Sequence, residues 1–220
     1  MRRPGTSIAL ALVAAALLAV GCGESSPSAE PQPPPSPSPA PSPPPPPAPP
    51  SPSFKKADLA RIALGPKNAP SGLVYVKDES GPMTLDDAGL VLPAQTRPLR
   101  GLGFDAMHDA IFVAKAQGND QRVSQRIWLF RNRGGAMQWL DKTREDAGSL
   151  QFTELTAPPL GDASWAAQGL IQVGGGQAIT HAFQLGNTVH TVSMYGEVTP
   201  PTEAGALAAA QAALAKARKG

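Results

Sequence analysis

Cysteine is nearly absent from this 220-residue chain, which has one, Cys22. A lone thiol cannot close an internal disulfide, so it pairs between chains, stays free or is chemically modified. Long apolar runs are missing as well. Ile8–Val20 holds thirteen apolar residues without a charge, short of the about 20 that a membrane-spanning helix needs. There is no concentrated basic block of the kind that binds nucleic acid, which excludes that class of partner. Nor is there a Gly-x-Ser-x-Gly, a Ser-x-x-Lys or a phosphate loop: Gly174-Gly175-Gly176 lacks the Lys-Ser/Thr that would follow. No catalytic residue and no cofactor is indicated.

What is present falls into three unlike parts. Residues 1–21 begin with Arg2 and Arg3, continue through the apolar run and end in small residues, the pattern of a secretory signal. Residues 24–53 hold 16 of the 26 prolines, with serine and alanine between them. Proline fixes φ and removes an amide donor, so neither helix nor sheet ladder is expected there. With little apolar surface to bury, the tract is expected to be disordered and locally polyproline II, a semi-rigid spacer. Residues 54–220 have the length and mixed composition of one ordinary domain. With Arg2 and Arg3 counted out, 17 basic residues face 17 acidic ones, so the exported chain is expected to be neutral overall.

Leu18-Ala19-Val20-Gly21 before Cys22 resembles the lipobox of bacterial lipoproteins. That resemblance implies that the sulfur of Cys22, a thiolate nucleophile, receives a diacylglycerol before cleavage. Two acyl chains would anchor stably where one is marginal. The family usually has leucine where this chain has Ala19, and Ala19-Val20-Gly21 would also suit an ordinary signal peptidase, leaving a soluble protein with free Cys22. Gly23 in place of aspartate carries no inner-membrane retention signal. The expected location is the outer face of the cell membrane, or the outer membrane of a two-membrane bacterium.

In the domain, Ala57–Leu64 is a short amphipathic segment and Gly72–Lys77 reads as a strand. Thr84 is a possible helix N-cap, with Asp86 and Asp87 in the first turn. Asp109–Lys115 and Val123–Arg131 read as strands about the turn-like Gly118-Asn119-Asp120. Ala136, Trp139, Leu140 and Thr143 recur at helical spacing over Gly135–Asp146. Gln151–Leu155 and Ala163–Ala167 are further candidate strands. Ala178–Leu185 and Thr188–Tyr195 flank Gly186-Asn187, a two-residue hairpin signal. Leu207–Arg218 is an alanine-rich helix whose basic end suits its dipole. The pattern predicts an α+β domain, an antiparallel sheet with helices packed on it.

The order of Leu64 to Gly72, Gly103-Phe104, Ile127–Leu140, Leu160-Gly161-Asp162 and the Gly186-Asn187 hairpin before a terminal helix resembles certain actinobacterial exported domains. These are the extracytoplasmic sensor domains of mycobacterial serine/threonine kinases and related lipoproteins with a PsbP-like fold. The resemblance implies sensing or binding and carries over no catalytic residues.

Two groups of residues are candidates for a site. If Gly186-Asn187 is the turn, Phe183 faces His190 and His181 faces Val192, which puts His181 and His190 on one apolar face. That pair would be half of a metal site, with His108 the only other histidine, or two buried imidazoles satisfied by hydrogen bonds. Val123, Ile127 and Leu129 share one face of their strand, while Trp128 and Phe130 share the other with Arg122 and Arg126. This describes a central strand covered on both sides, or an aromatic patch left for a partner. The leading expectation is a non-enzymatic surface lipoprotein that binds a ligand or another envelope protein. The alternative is a carrier enclosing an apolar molecule in a cavity lined by Trp128, Phe130 and Phe183, and a histidine metal hydrolase stands third.

Overall fold

The computed structural model describes residues 51–85, 93–116, 118–171 and 175–220. All eight described strands are antiparallel to their neighbours and form one sheet. They are β1 (Leu73–Tyr75), β2 (Gly81–Met83), β3 (Phe104–Ala114), β4 (Arg122–Phe130), β5 (Thr153–Glu154), β6 (Ala163–Leu170), β7 (Gln177–Leu185) and β8 (Thr188–Gly196). Their order across the sheet is β1-β3-β4-β8-β7-β6-β5, with β2 also on the outer edge of β3. Four described α-helices accompany them: α1 (Leu59–Ile62), α2 (Pro93–Gly101), α3 (Arg133–Ser149) and α4 (Glu203–Lys219).

Side chains alternate across a strand, and both faces of this sheet carry apolar residues, so both must be covered. One face bears Phe112, Val123, Ile127, Leu129, Phe183, Leu185 and Val192, packed under α1 and α4. The buried stripe of α4 is Ala206, Ala209, Ala210, Ala213, Leu214 and Ala217, spaced at three and four. Small residues let this helix lie close on the sheet. The opposite face bears Met107, Trp128, Phe130, Trp165, Ala182 and Val189, packed against Ala136, Trp139 and Leu140 of α3 and against Leu99 of α2. Helix α3 starts at Asn132, whose side chain accepts from the Gly135 N–H at 2.9 Å. Helix α4 starts in the same way at Thr202.

The Gly186-Asn187 turn forms in the expected register, with Leu185 opposite Thr188, Phe183 opposite His190 and His181 opposite Val192. Gly186, at φ 60°, holds the left-handed position that favours glycine. A Cβ there would also sit 1.7 Å from the Pro52 carbonyl oxygen. The turn is a docking point for the entering chain. Asn187 accepts from the Phe54 N–H at 2.7 Å and donates to the carbonyls of Phe54 and Phe130 at 3.0 and 2.8 Å.

Several expected elements change length. The strand expected at Asp109–Lys115 begins five residues earlier, at Phe104. The one expected at Gln151–Leu155 is only Thr153–Glu154, and α4 begins at Glu203. Of the helix start expected at Thr84, Thr84 and Leu85 are described while Asp86 and Asp87 lie outside the described residues, as does Gly174 of Gly174-Gly175-Gly176.

Candidate functional site

Helix α3 covers only part of its face. Its first half, with Trp139 and Leu140, presses on Trp128 and Val189. Toward its far end the sheet surface is left open, and a cleft of about 530 Å³ lies between the sheet, the end of α3 and the segment that follows it. The floor comes from alternate residues of four adjacent strands, β3, β4, β8 and β7. Ser124 of β4 lies directly across from Ser193 of β8, and Ser193 lies across from Thr180 of β7. The Thr180 and Ser193 hydroxyls are 2.8 Å apart. In the next row, Asp109, Arg126 and Thr191 stand side by side. The wall is Ala147, Leu150 and Phe152, and Trp128, Trp139 and Trp165 close the inner end. These are all three tryptophans of the chain.

Electrostatically the cleft is self-neutralised. Arg126 binds Asp109 in a fork, Nε to Oδ1 at 2.8 Å and Nη2 to Oδ2 at 2.6 Å. Such bidentate pairs are the stronger kind. The same guanidinium lies 5.6 Å from the Trp128 ring centroid, within cation–π range. At the rim Arg122 pairs with Glu79, and Asp146 with Lys142. The Trp165 indole donates to the Leu140 carbonyl and to Thr143. The buried indole nitrogens of Trp128 and Trp139 have no hydrogen-bond partner among the described residues.

The proposed ligand-contacting trio is not brought together. Trp128 and Phe130 lie on the α3 face and Phe183 on the α4 face, because Phe183 pairs with His190, His190 with Ile127, and Ile127 adjoins Trp128 with the opposite orientation. The sheet separates them, so the expectation of one cavity lined by Trp128, Phe130 and Phe183 is corrected. Phe130 is fully buried against Trp139 and Phe104. Trp128 contributes to the core and to the cleft at once.

His181 and His190 do share a face, as the register requires, and both are buried. His190 stacks on Phe183, with centroids 4.7 Å apart and planes 9° from parallel. Both of its nitrogens are engaged: Nδ1 lies 3.1 Å from Gln125 Nε2, and Nε2 lies 3.1 Å from Thr188 Oγ1. Burial pushes its pKa down to about 3. Thr188, His190 and Gln125 have the outline of a nucleophile, a base and an orienting group. All three are fully buried, however, and the Thr188 hydroxyl donates to the Leu185 carbonyl at 2.8 Å. The arrangement is a core relay closed to substrate. His181 Nε2 and His108 Nδ1 have no partner among the described residues, and burial lowers both pKa values. Among the described residues, no group of three His, Cys, Asp or Glu side chains is placed to hold a metal ion. Cys22 lies outside the described residues.

No protein-family model matches the chain, and no curated protein matches it. Among solved structures it is similar to the crystal structure of the extracellular domain of PknH from Mycobacterium tuberculosis. The TM-score is 0.51 at 14% sequence identity, over 77% of this chain and 100% of that domain. The likeness is one of fold. It agrees with the α+β architecture and with the resemblance to kinase sensor domains.

Sequence reasoning reached Trp128 at the inner end of the cleft with Arg122 and Arg126 on the same face, and missed the row of hydroxyls in its floor. Ser124, Arg126 and Trp128 alternate within one strand, which is legible as a shared face. That Ser193 and Thr180 continue the same row depends on the pairing of β4 with β8 and of β8 with β7.

Proposed function

We propose that this protein is an exported, lipid-anchored envelope protein whose domain binds a ligand non-catalytically in the cleft between α3 and the open part of the sheet. The observation that carries the reading is the cleft itself. It is a preformed concavity in which polar groups converge beside an apolar wall, the usual anatomy of a small-ligand site. The likeness of fold to an extracellular domain supports export, as do the signal-like residues 1–21 and the lipobox-like residues before Cys22. No described helix is long and apolar enough to cross a membrane. An open cleft beside packed cores fits binding from solution better than a carrier that encloses an apolar cargo. A protein partner seated on the same surface is the second outcome of the test.

Since every tryptophan lines the cleft, intrinsic fluorescence reports its occupancy. Titration with fractionated extract of the host's own envelope is expected to give a saturable change in emission. That change should disappear in Ser193→Phe, which fills the floor. Native mass spectrometry of protein isolated from its host then identifies what is bound, small molecule or protein. No emission change with any fraction would remove the cleft from consideration.

A further inference from the structure

The chemistry of the cleft selects among ligand classes. Two cations, Arg122 and Arg126, and two anions, Asp109 and Asp146, line it, and each has an oppositely charged partner. A charged ligand would have to compete with one of these pairs, so the site offers no net attraction to carboxylates, phosphates or amines. Its accessible polar groups are hydroxyls. Ser124, Thr180, Thr191 and Ser193 are all half-buried. Thr191 donates to the Arg126 carbonyl at 3.4 Å, and Thr180 and Ser193 share one bond. Every one of these hydroxyls therefore keeps acceptor lone pairs, and among the described residues free donors remain on Ser124 and on one of the bonded pair. The groups that pair best with such a floor are hydroxyls of the same dual character. Arg126 commits Nε and Nη2 to Asp109, which leaves the N–H groups of Nη1 as fixed donors without a surplus of charge.

The apolar side is limited. The tryptophans expose 2–9% of their surface, and Leu150, at 52%, is the one large exposed hydrophobic in the wall. Leu150 with Phe152 is too short a stretch to shield a long acyl chain. It suits the C–H face of a single sugar ring.

We infer that the cleft recognises an uncharged carbohydrate, with ring hydroxyls on the Ser124–Ser193–Thr180 row and a C–H face against Leu150 and Phe152. The inference rests on the reading of this cleft as the ligand site and adds the class of ligand.

The test is a printed array of neutral and acidic oligosaccharides of two to six sugars, probed with the full-length protein. It is followed by fluorescence titration of the best neutral glycan, of its closest acidic counterpart and of 1-decanoylglycerol. Neutral glycans are expected to bind, and acidic ones at least tenfold more weakly. Affinity for the neutral glycan should fall at least tenfold in the double variant Thr180→Val/Ser193→Val and severalfold in Ser124→Ala, both with unchanged circular dichroism. Absence of any neutral glycan among the hits overturns the inference. So does a preference for acidic glycans or decanoylglycerol, or neutral binding that both variants leave intact. If decanoylglycerol or an acidic glycan binds more tightly than the neutral glycan, the neutral-carbohydrate class falls and the cleft stands as a ligand site. If neither these nor envelope extract changes it, both readings fall.

Discussion

At the scale of single residues, His190 shows how the core fixes a protonation state. The Gln125 side chain accepts from the Leu64 N–H at 2.7 Å, which orients its amide so that Nε2 donates to His190 Nδ1. The Thr188 hydroxyl spends its proton on Leu185 and so accepts from His190 Nε2. This network holds the neutral imidazole with its proton on Nε2, and a second proton would turn Nδ1 against the Gln125 amide donor. Burial accordingly brings the folded pKa from the ordinary 6.5 to about 3. Between those two values the unfolded chain binds a proton that the folded chain refuses, so stability falls as pH falls through this window. The slope is about 1.4 kcal/mol per pH unit below 6.5. His108 and His181, also lowered by burial, act in the same direction. Urea denaturation is therefore expected to show about 2 kcal/mol less stability at pH 5 than at neutral pH. His190→Gln should be less stable at neutral pH, with a distinctly shallower dependence between pH 7 and 5. An unchanged slope in that variant would remove His190 as the source.

At the scale of elements, α4 depends on the smallness of its buried face. Ala213 is fully buried between the helix and the sheet, and cores filled to this density accept added methylenes poorly. Ala213→Leu is expected to cost about 1–3 kcal/mol. Ala212→Leu, on the exposed side, should stay within about 0.5 kcal/mol. Equal effects in thermal denaturation would mean that α4 does not pack by this face. The elements legible in the sequence were those with a strong period or a specific turn: β4, β7, β8, α3 and α4. Helix α2 was not legible. It contains Pro98, and among its described side chains only Leu99 is buried, so it has no apolar stripe to announce it. Strand β2 is Gly-Pro-Met, a composition that argues against a strand until its place on the outer edge of β3 is known. The cleft was the least legible feature of all. It exists because α3 stops covering the sheet before the Ser124 row, and that depends on how far a helix reaches across four paired strands.

At the scale of the whole molecule, the chain enters the domain at one end of the sheet and the cleft lies toward the other. Phe54 is bound to Asn187 at the β7–β8 turn, and Arg133 donates to the Ser51 hydroxyl at 3.1 Å. Ser193 lies five residues along β8 from Thr188 at that turn, a distance of about 17 Å at 3.3–3.4 Å per residue. If residues 24–53 are the tether and Cys22 its lipidated end, as proposed, anchoring and binding occupy opposite ends of the domain and are separable. Burial of acyl chain contributes about 0.8 kcal/mol per CH₂, and two chains suffice for a stable anchor. Cys22→Ser removes the proposed acceptor sulfur. It is expected to move the protein from the membrane fraction to the soluble fraction, with the fluorescence response of the cleft and the urea midpoint unchanged. Retention in the membranes would show that something other than a lipid on Cys22 holds the protein there. A lost cleft response would show that anchor and site are coupled, contrary to the separation that the positions of Phe54 and Ser193 imply.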